Sequence, residues 1–137
     1  MPSDRERMAE ARAWLAKAAL DLRAAEFEFT AEPPLTADIV FHAQQLAEKA
    51  LKGFLTWHDQ PYRKTHNMVE IGQQCVALDA TLEDVARRAA TLTEYAWKFR
   101  YPGEPEEPPV AEAQEALALA REVYEVVLSR LPGEVQP

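Results

Sequence analysis

The chain has 137 residues, 47% of them hydrophobic, with a formal net charge of −8 and a single cysteine, Cys75. That is enough apolar material for one domain to bury its own core, and the lone cysteine excludes an internal disulfide and a zinc site built on several thiolates. The acidic balance disfavours broad, sequence-independent nucleic-acid binding, because such a chain repels a phosphate backbone at long range.

A first helix is expected over residues 4–29. Met8, Ala11, Leu15, Ala18, Leu22, Ala25 and Phe29 recur at three- and four-residue spacing and make one apolar stripe. Pro33 and Pro34 end it. A second helix is expected over 36–58, with Thr36 as its candidate N-cap and Pro61 closing the unit. A third, shorter helix starts at Asn67, with Glu70 in capping-box position and Met68, Ile71, Cys75 and Leu78 on its buried side. The fourth follows Thr81 and carries Leu82, Val85, Ala89, Leu92, Ala96 and Phe99. The fifth follows Pro108 and Pro109 as first-turn residues, with Val110, Ala113, Leu117, Ala120, Tyr124, Val127 and Leu131 as its stripe. No period-two stretch or Asn-Gly turn marks a strand. Short connections make sequential helices antiparallel. The expected fold is therefore all-α: an up-and-down antiparallel bundle of four long helices plus one short one, a single domain over 1–137.

On a helical wheel, Ile39, Ala43, Leu46, Ala47, Ala50 and Phe54 share one arc of the second helix, and His42, Gln45, Lys49, Lys52 and Thr56 share the opposite arc. Phe41, Leu51 and Leu55 widen the apolar surface beyond one stripe. Such a helix either sits centrally in the core or meets a second subunit through Phe41 and Leu55.

The first residues, MPSDRERMAEARAW, contain no apolar core of a secretory signal, and no apolar run approaches the length of a membrane span. With one cysteine, the reading is a cytoplasmic protein. No Gly-rich phosphate loop, nucleophile elbow or metal-ligand signature occurs, and the only serines, Ser3 and Ser129, lie near the termini, which argues against a serine triad. His42 and His58 lie sixteen residues apart on one helix and cannot share a metal ion; His42 is expected to be solvated. No cofactor and no metal is expected.

Several motifs together carry a family resemblance. The run from Phe41 to Leu55 (FHAQQLAEKALKGFL) is similar to the second-helix signature of HEPN domains. Thr65-His66-Asn67 resembles that family's short Thr-His motif, and Arg100-Tyr101-Pro102 its Arg-Tyr-Pro motif. Trp14-Leu15, Asp21-Leu22 and Ala24-Ala25 match its first helix. The resemblance spans about Ala9 to Leu131. It implies a helical bundle that forms homodimers. It also implies pairing with a minimal nucleotidyltransferase in a toxin–antitoxin-like system, and binding of a nucleotide or other phosphate-bearing ligand. Some members are metal-independent ribonucleases that use an Arg followed after four to six residues by a His. Here Arg100 matches the Arg, but Pro105, Glu106 and Glu107 stand where the His belongs. A carboxylate is a poor proton donor at neutral pH and repels a phosphodiester.

The ligand-binding candidates are Lys49, Lys52, His66, Arg100 and Tyr101; Arg100 and His66 are also the only candidate catalytic residues. Each has two readings. Arg100, with Lys98, either caps a helix end or presents a planar fork to phosphate or carboxylate. His66 is either a loop histidine bonded to backbone or a ligand contact and proton donor. Lys49 and Lys52 either form a solvated face beside Glu48 or join Arg100 at an anion site. Glu104, Glu106, Glu107, Glu112 and Glu115 either favour the dipole of the fifth helix or complement a basic partner.

Overall fold

The computed structural model describes residues 3–61, 67–102 and 106–137. Among them every regular element is helical: α1 (Asp4–Glu28), α2 (Thr36–Trp57), α3 (Met68–Leu78), α4 (Glu83–Ala89) and α5 (Val110–Ser129), with 3-10 segments at Ala80–Leu82, Ala90–Ala96 and Gly133–Val135. The antiparallel bundle expected from the sequence is what forms.

α1 starts at a reciprocal cap that the stripe analysis did not use. Ser3 Oγ accepts the Glu6 N–H at 3.1 Å, and Glu6 Oε2 accepts the Ser3 N–H at 3.2 Å. Thr36 is not the cap of α2. It is the first helical residue and buried, and Leu35 holds the cap position with no side-chain bond. The Leu35 N–H is bound to the Glu28 carbonyl, which fixes the α1–α2 turn through backbone alone. Asn67 does cap α3, its side chain accepting from Val69 and Glu70. Met68, Ile71 and Cys75 are buried as expected, while Leu78 is exposed and Gly72 joins the buried side.

The fourth helix departs from its expected form. Its α-helical part ends at Ala89, and the chain continues as a 3-10 segment to Ala96. The threonines explain the change, because their hydroxyls compete with the helical ladder. Thr91 Oγ1 donates back to the Arg88 carbonyl at 2.8 Å, and Thr93 Oγ1 accepts the Met68 N–H at 3.1 Å, supporting the start of α3. Tyr95 donates its hydroxyl to Glu112 at 2.5 Å and ties the segment to α5.

α2 is the central element. It packs most extensively on α1, then on α5, and also touches α3 and the 90–96 segment. Its wide apolar surface is explained by that position: Leu51 and Leu55 are fully buried within one chain, and Phe41 is half-buried. The reading in which Leu55 lines a subunit seam therefore fails, since no exposed surface remains on it. α1 can approach α2 closely because Gly53 faces it; a Cβ there would lie 3.1 Å from Leu15 Cδ2 and 3.3 Å from Trp14 Cβ. No described helix is long and apolar enough to cross a membrane.

Candidate functional site

The inward stripe of α1 reads Ala11, Leu15, Ala18, Asp21, Ala25. A carboxylate thus occupies a position that the helical period reserves for an apolar side chain, and it is 7% exposed. Burial of a charge is costly unless it is paired. Asp21 is paired twice: Oδ1 lies 2.8 Å from His42 Nδ1, and Oδ2 accepts from Lys49 Nζ at 2.6 Å. On the far side of the ring, His42 Nε2 lies 3.6 Å from Glu28 Oε1, too long for a hydrogen bond but close enough for attraction. Asp21 and Glu28 are seven residues apart on α1, as are His42 and Lys49 on α2. Two turns on each of two antiparallel helices bring the four groups into one interface.

An imidazole between two carboxylates keeps its proton. The hydrogen bond to Asp21 raises the pKa of His42 above its ordinary value, against an opposing effect of burial, and the charges of Glu28, Asp21 and Asp38 add to the rise. Burial pushes the Glu28 carboxyl up to about 7; His42 pulls it down, and a hydrogen bond and like charge from Asp38 push it up. Glu28 Oε1 is buried with no hydrogen-bond partner among the described residues.

Arg100 closes this line of charges. Phe99 adopts φ of 66°, the left-handed region, so the chain changes direction just before it. The Arg100 guanidinium lies 3.8 Å over the Phe41 ring, and its Nη1 donates to Asp38 at 3.3 Å. Phe41 in turn meets the His42 ring edge-on at 5.6 Å. Lys49, Asp21, His42, Glu28, Asp38 and Arg100 therefore follow one another along the α1–α2 interface.

A second polar run lies on another side of α2. Gln45 donates to Gln44 at 2.6 Å, Gln44 to Glu48 at 2.7 Å, and Lys52 to Glu48 at 2.9 Å. Gln44, Glu48 and Lys52 are all buried, and Lys52 Nζ stands 5.6 Å from the Trp14 ring centroid. Gln44, Glu48 and Lys52 of the second-helix motif are thus packed inside the bundle, with Gln45 half-buried at their edge.

The residues expected at the site are distributed rather than gathered. Lys49 and Lys52 do not form a freely solvated face, and His42 is only partly solvated: Lys52 is buried, and His42 and Lys49 keep about a quarter of their side chains exposed while paired to Asp21. Asp38, which holds Arg100, and Lys49 lie eleven residues apart, about 16 Å along the helix. Arg100 and the two lysines are therefore held by different carboxylates. Arg100 keeps a side chain 37% exposed, and Tyr101 beside it is 66% exposed. Lys98 donates to Glu94 at 3.2 Å. His66, Thr65, Glu104 and Pro105 lie outside the described residues. Glu106 and Glu107 are exposed, with no apolar enclosure. The sequence reading missed Asp21, Glu28 and Asp38 as parts of the site. The available signal was Asp21 itself, a charge three residues after Ala18 and four before Ala25 on an apolar stripe.

Comparison with known protein families gives one match: the family model described as HEPN domain covers residues 11–131. No curated protein and no solved structure matches the chain.

Proposed function

The chain belongs to the HEPN domain family, and from that membership we propose that it is a non-catalytic, homodimeric module that binds a phosphate-bearing group through Arg100 and Tyr101. The group is a nucleotide or a phosphate-like acidic group on a minimal nucleotidyltransferase, its partner in a toxin–antitoxin-like pair. The observation that carries this reading is the state of Arg100. Its guanidinium is oriented by the Phe41 ring, yet its one described ion pair is a single 3.3 Å contact to Asp38, which is itself half-exposed. A solvated pair of this kind is worth little and exchanges readily for a bidentate phosphate. Tyr101 offers an exposed ring beside it on which a base can stack.

The proton carrier that RNA cleavage needs has no support at this place. Glu106 and Glu107 stand in solvent at the motif position, and both nitrogens of His42 face carboxylates. Positioned acid–base groups are worth about 10²–10⁴-fold each, so charge stabilisation by Arg100 alone leaves cleavage far below that of a competent nuclease.

The test combines calorimetric titration with ATP and with inorganic phosphate, and RNA digestion by highly purified protein without added metal. Arg100→Ala is expected to weaken ATP binding by tenfold or more, since charge-assisted hydrogen bonds contribute about 1.5–3 kcal/mol. Its melting temperature should barely move, because the pair with Asp38 is exposed. Unchanged binding in Arg100→Ala would reduce the residue to a partner of Phe41 and Asp38. Robust RNA cleavage that disappears in both Arg100→Ala and His66→Ala would replace this reading with that of a ribonuclease toxin.

A further inference from the structure

α3 and α4 form a hairpin turning about Asp79, and its outer face carries a groove of about 400 Å³. Each helix of the hairpin lines it with the same spacing, i, i+3, i+4, i+7: from Val69 to Val76 on one side and from Glu83 to Ala90 on the other. Two small residues form its floor. A Cβ on Gly72 would lie 3.2 Å from the Ala86 Cβ, so these two residues sit at one level of the hairpin. Val69, at the rim, is 49% exposed, a large apolar side chain left without cover.

We propose that this groove is the contact surface for a second copy of the chain, packed hairpin on hairpin about a two-fold axis at the Gly72–Ala86 level. The proposal rests on the homodimer reading above and assigns its interface. The argument for a second copy, rather than an unrelated partner, is that the face is complementary to itself. A two-fold axis in the plane of the face sets each helix antiparallel to its own image. On α3, Val69 and Val76 lie at equal steps either side of the midpoint between Gly72 and Gln73. Val69 of one copy therefore meets Val76 of the other. On α4 the same axis falls between Glu83 and Arg87, so Glu83 of one copy faces Arg87 of the other, twice by symmetry. Like charges are not brought together at these positions. Arg87 is now bound to Asp84 at 2.9 Å, with both side chains more than 60% exposed, and a pair that open exchanges at little cost. The small floor residues leave room for the valines, as knobs into a trough.

The experiment is light scattering on the full chain across micromolar concentrations. The wild type is expected to run as a dimer. Val69→Arg, Glu83→Arg and Arg87→Glu should each weaken association at least tenfold, and the double variant Glu83→Arg/Arg87→Glu should regain it by restoring opposite charges across the axis. All three positions are exposed, and dichroism confirms that each variant is folded; if Val69→Arg does not fold, the charge swap decides alone. A monomeric wild type overturns both the interface and the homodimer reading. Dimers that persist in every variant overturn the interface and leave the homodimer. Weakened single variants with no recovery in the double variant keep the face in the dimer but overturn the two-fold pairing of Glu83 with Arg87.

Discussion

Asp21→Ala should lower the free energy of unfolding by about 3 kcal/mol, one of the largest losses available to a single polar substitution in this fold. Removing one partner of a buried pair costs roughly 3–5 kcal/mol, because the charge left behind has neither water nor a counter-ion. Asp21 is 7% exposed and accepts from two groups, so its removal leaves Lys49 without its described counter-ion and His42 with only the longer contact to Glu28. The lower end of the range applies, since the His42 and Lys49 side chains keep about a quarter of their surface in solvent (25% and 23%). Asp21→Asn keeps an acceptor but loses the charge, and should fall between wild type and Asp21→Ala. The double variant Asp21→Leu/Lys49→Met should recover much of the loss, because a packed apolar pair of similar volume often matches a buried ion pair. Urea unfolding monitored by dichroism measures all of these. A loss below about 1 kcal/mol for Asp21→Ala would mean that water, not Asp21, satisfies His42 and Lys49.

The same residue shows how far the sequence could be read. The period of apolar residues along α1, α3 and α5 located those helices within a residue or two at most ends, because burial of one face is what selects the period. The N-cap of α3 was legible because Asn67 is a side chain with one local use, whereas the start of α2 was not, because backbone bonds set it. The 3-10 segment over Ala90–Ala96 was hidden since its local cause, the Thr91 bond to Arg88, is joined by a tertiary one: Thr93 bonds to Met68, far away in sequence. A helical wheel also cannot say which side of a central helix is covered. It placed His42, Lys49 and Lys52 on one polar arc and left the lysines either in solvent or at an anion site with Arg100, while the structure pairs them with Asp21 and Glu48. Arg100 was legible as a candidate through its motif, but the ring that orients it, Phe41, stands some sixty residues earlier in the chain.

The charge line along α1 and α2 should also make stability depend on pH in an unusual direction. Glu28 is lifted to about 7 by burial, and His42 is lifted above its ordinary value by its bond to Asp21. Both groups therefore hold a proton more tightly in the folded chain than in the unfolded one. Where the folded state binds more protons, stability falls as pH rises. The contribution of Glu28 is fully present below its unfolded value of 4.5 and is lost as pH climbs through about 7. That of His42 is fully present below 6.5 and is lost as pH passes its raised folded value. Between about pH 5.5 and pH 8 Glu28 by itself should cost about 2 kcal/mol, since each tenfold difference in proton affinity between the folded and unfolded chain corresponds to roughly 1.4 kcal/mol, while His58, whose pKa burial lowers, acts in the opposite direction. Glu28→Gln isolates the cause. Its amide imitates the protonated acid, keeps a donor for Asp38 and carries no charge into a buried place. The variant should show a much flatter profile over this window, and at pH 8 it should be more stable than the wild type, an uncommon result for a substitution in a buried network. At the lower pH the two proteins should converge, because wild-type Glu28 is then already neutral. Thermal melts of both proteins across that range decide the matter: parallel profiles would show that Glu28 stays ionised throughout, held by the charge of His42 rather than by a proton shared with Asp38.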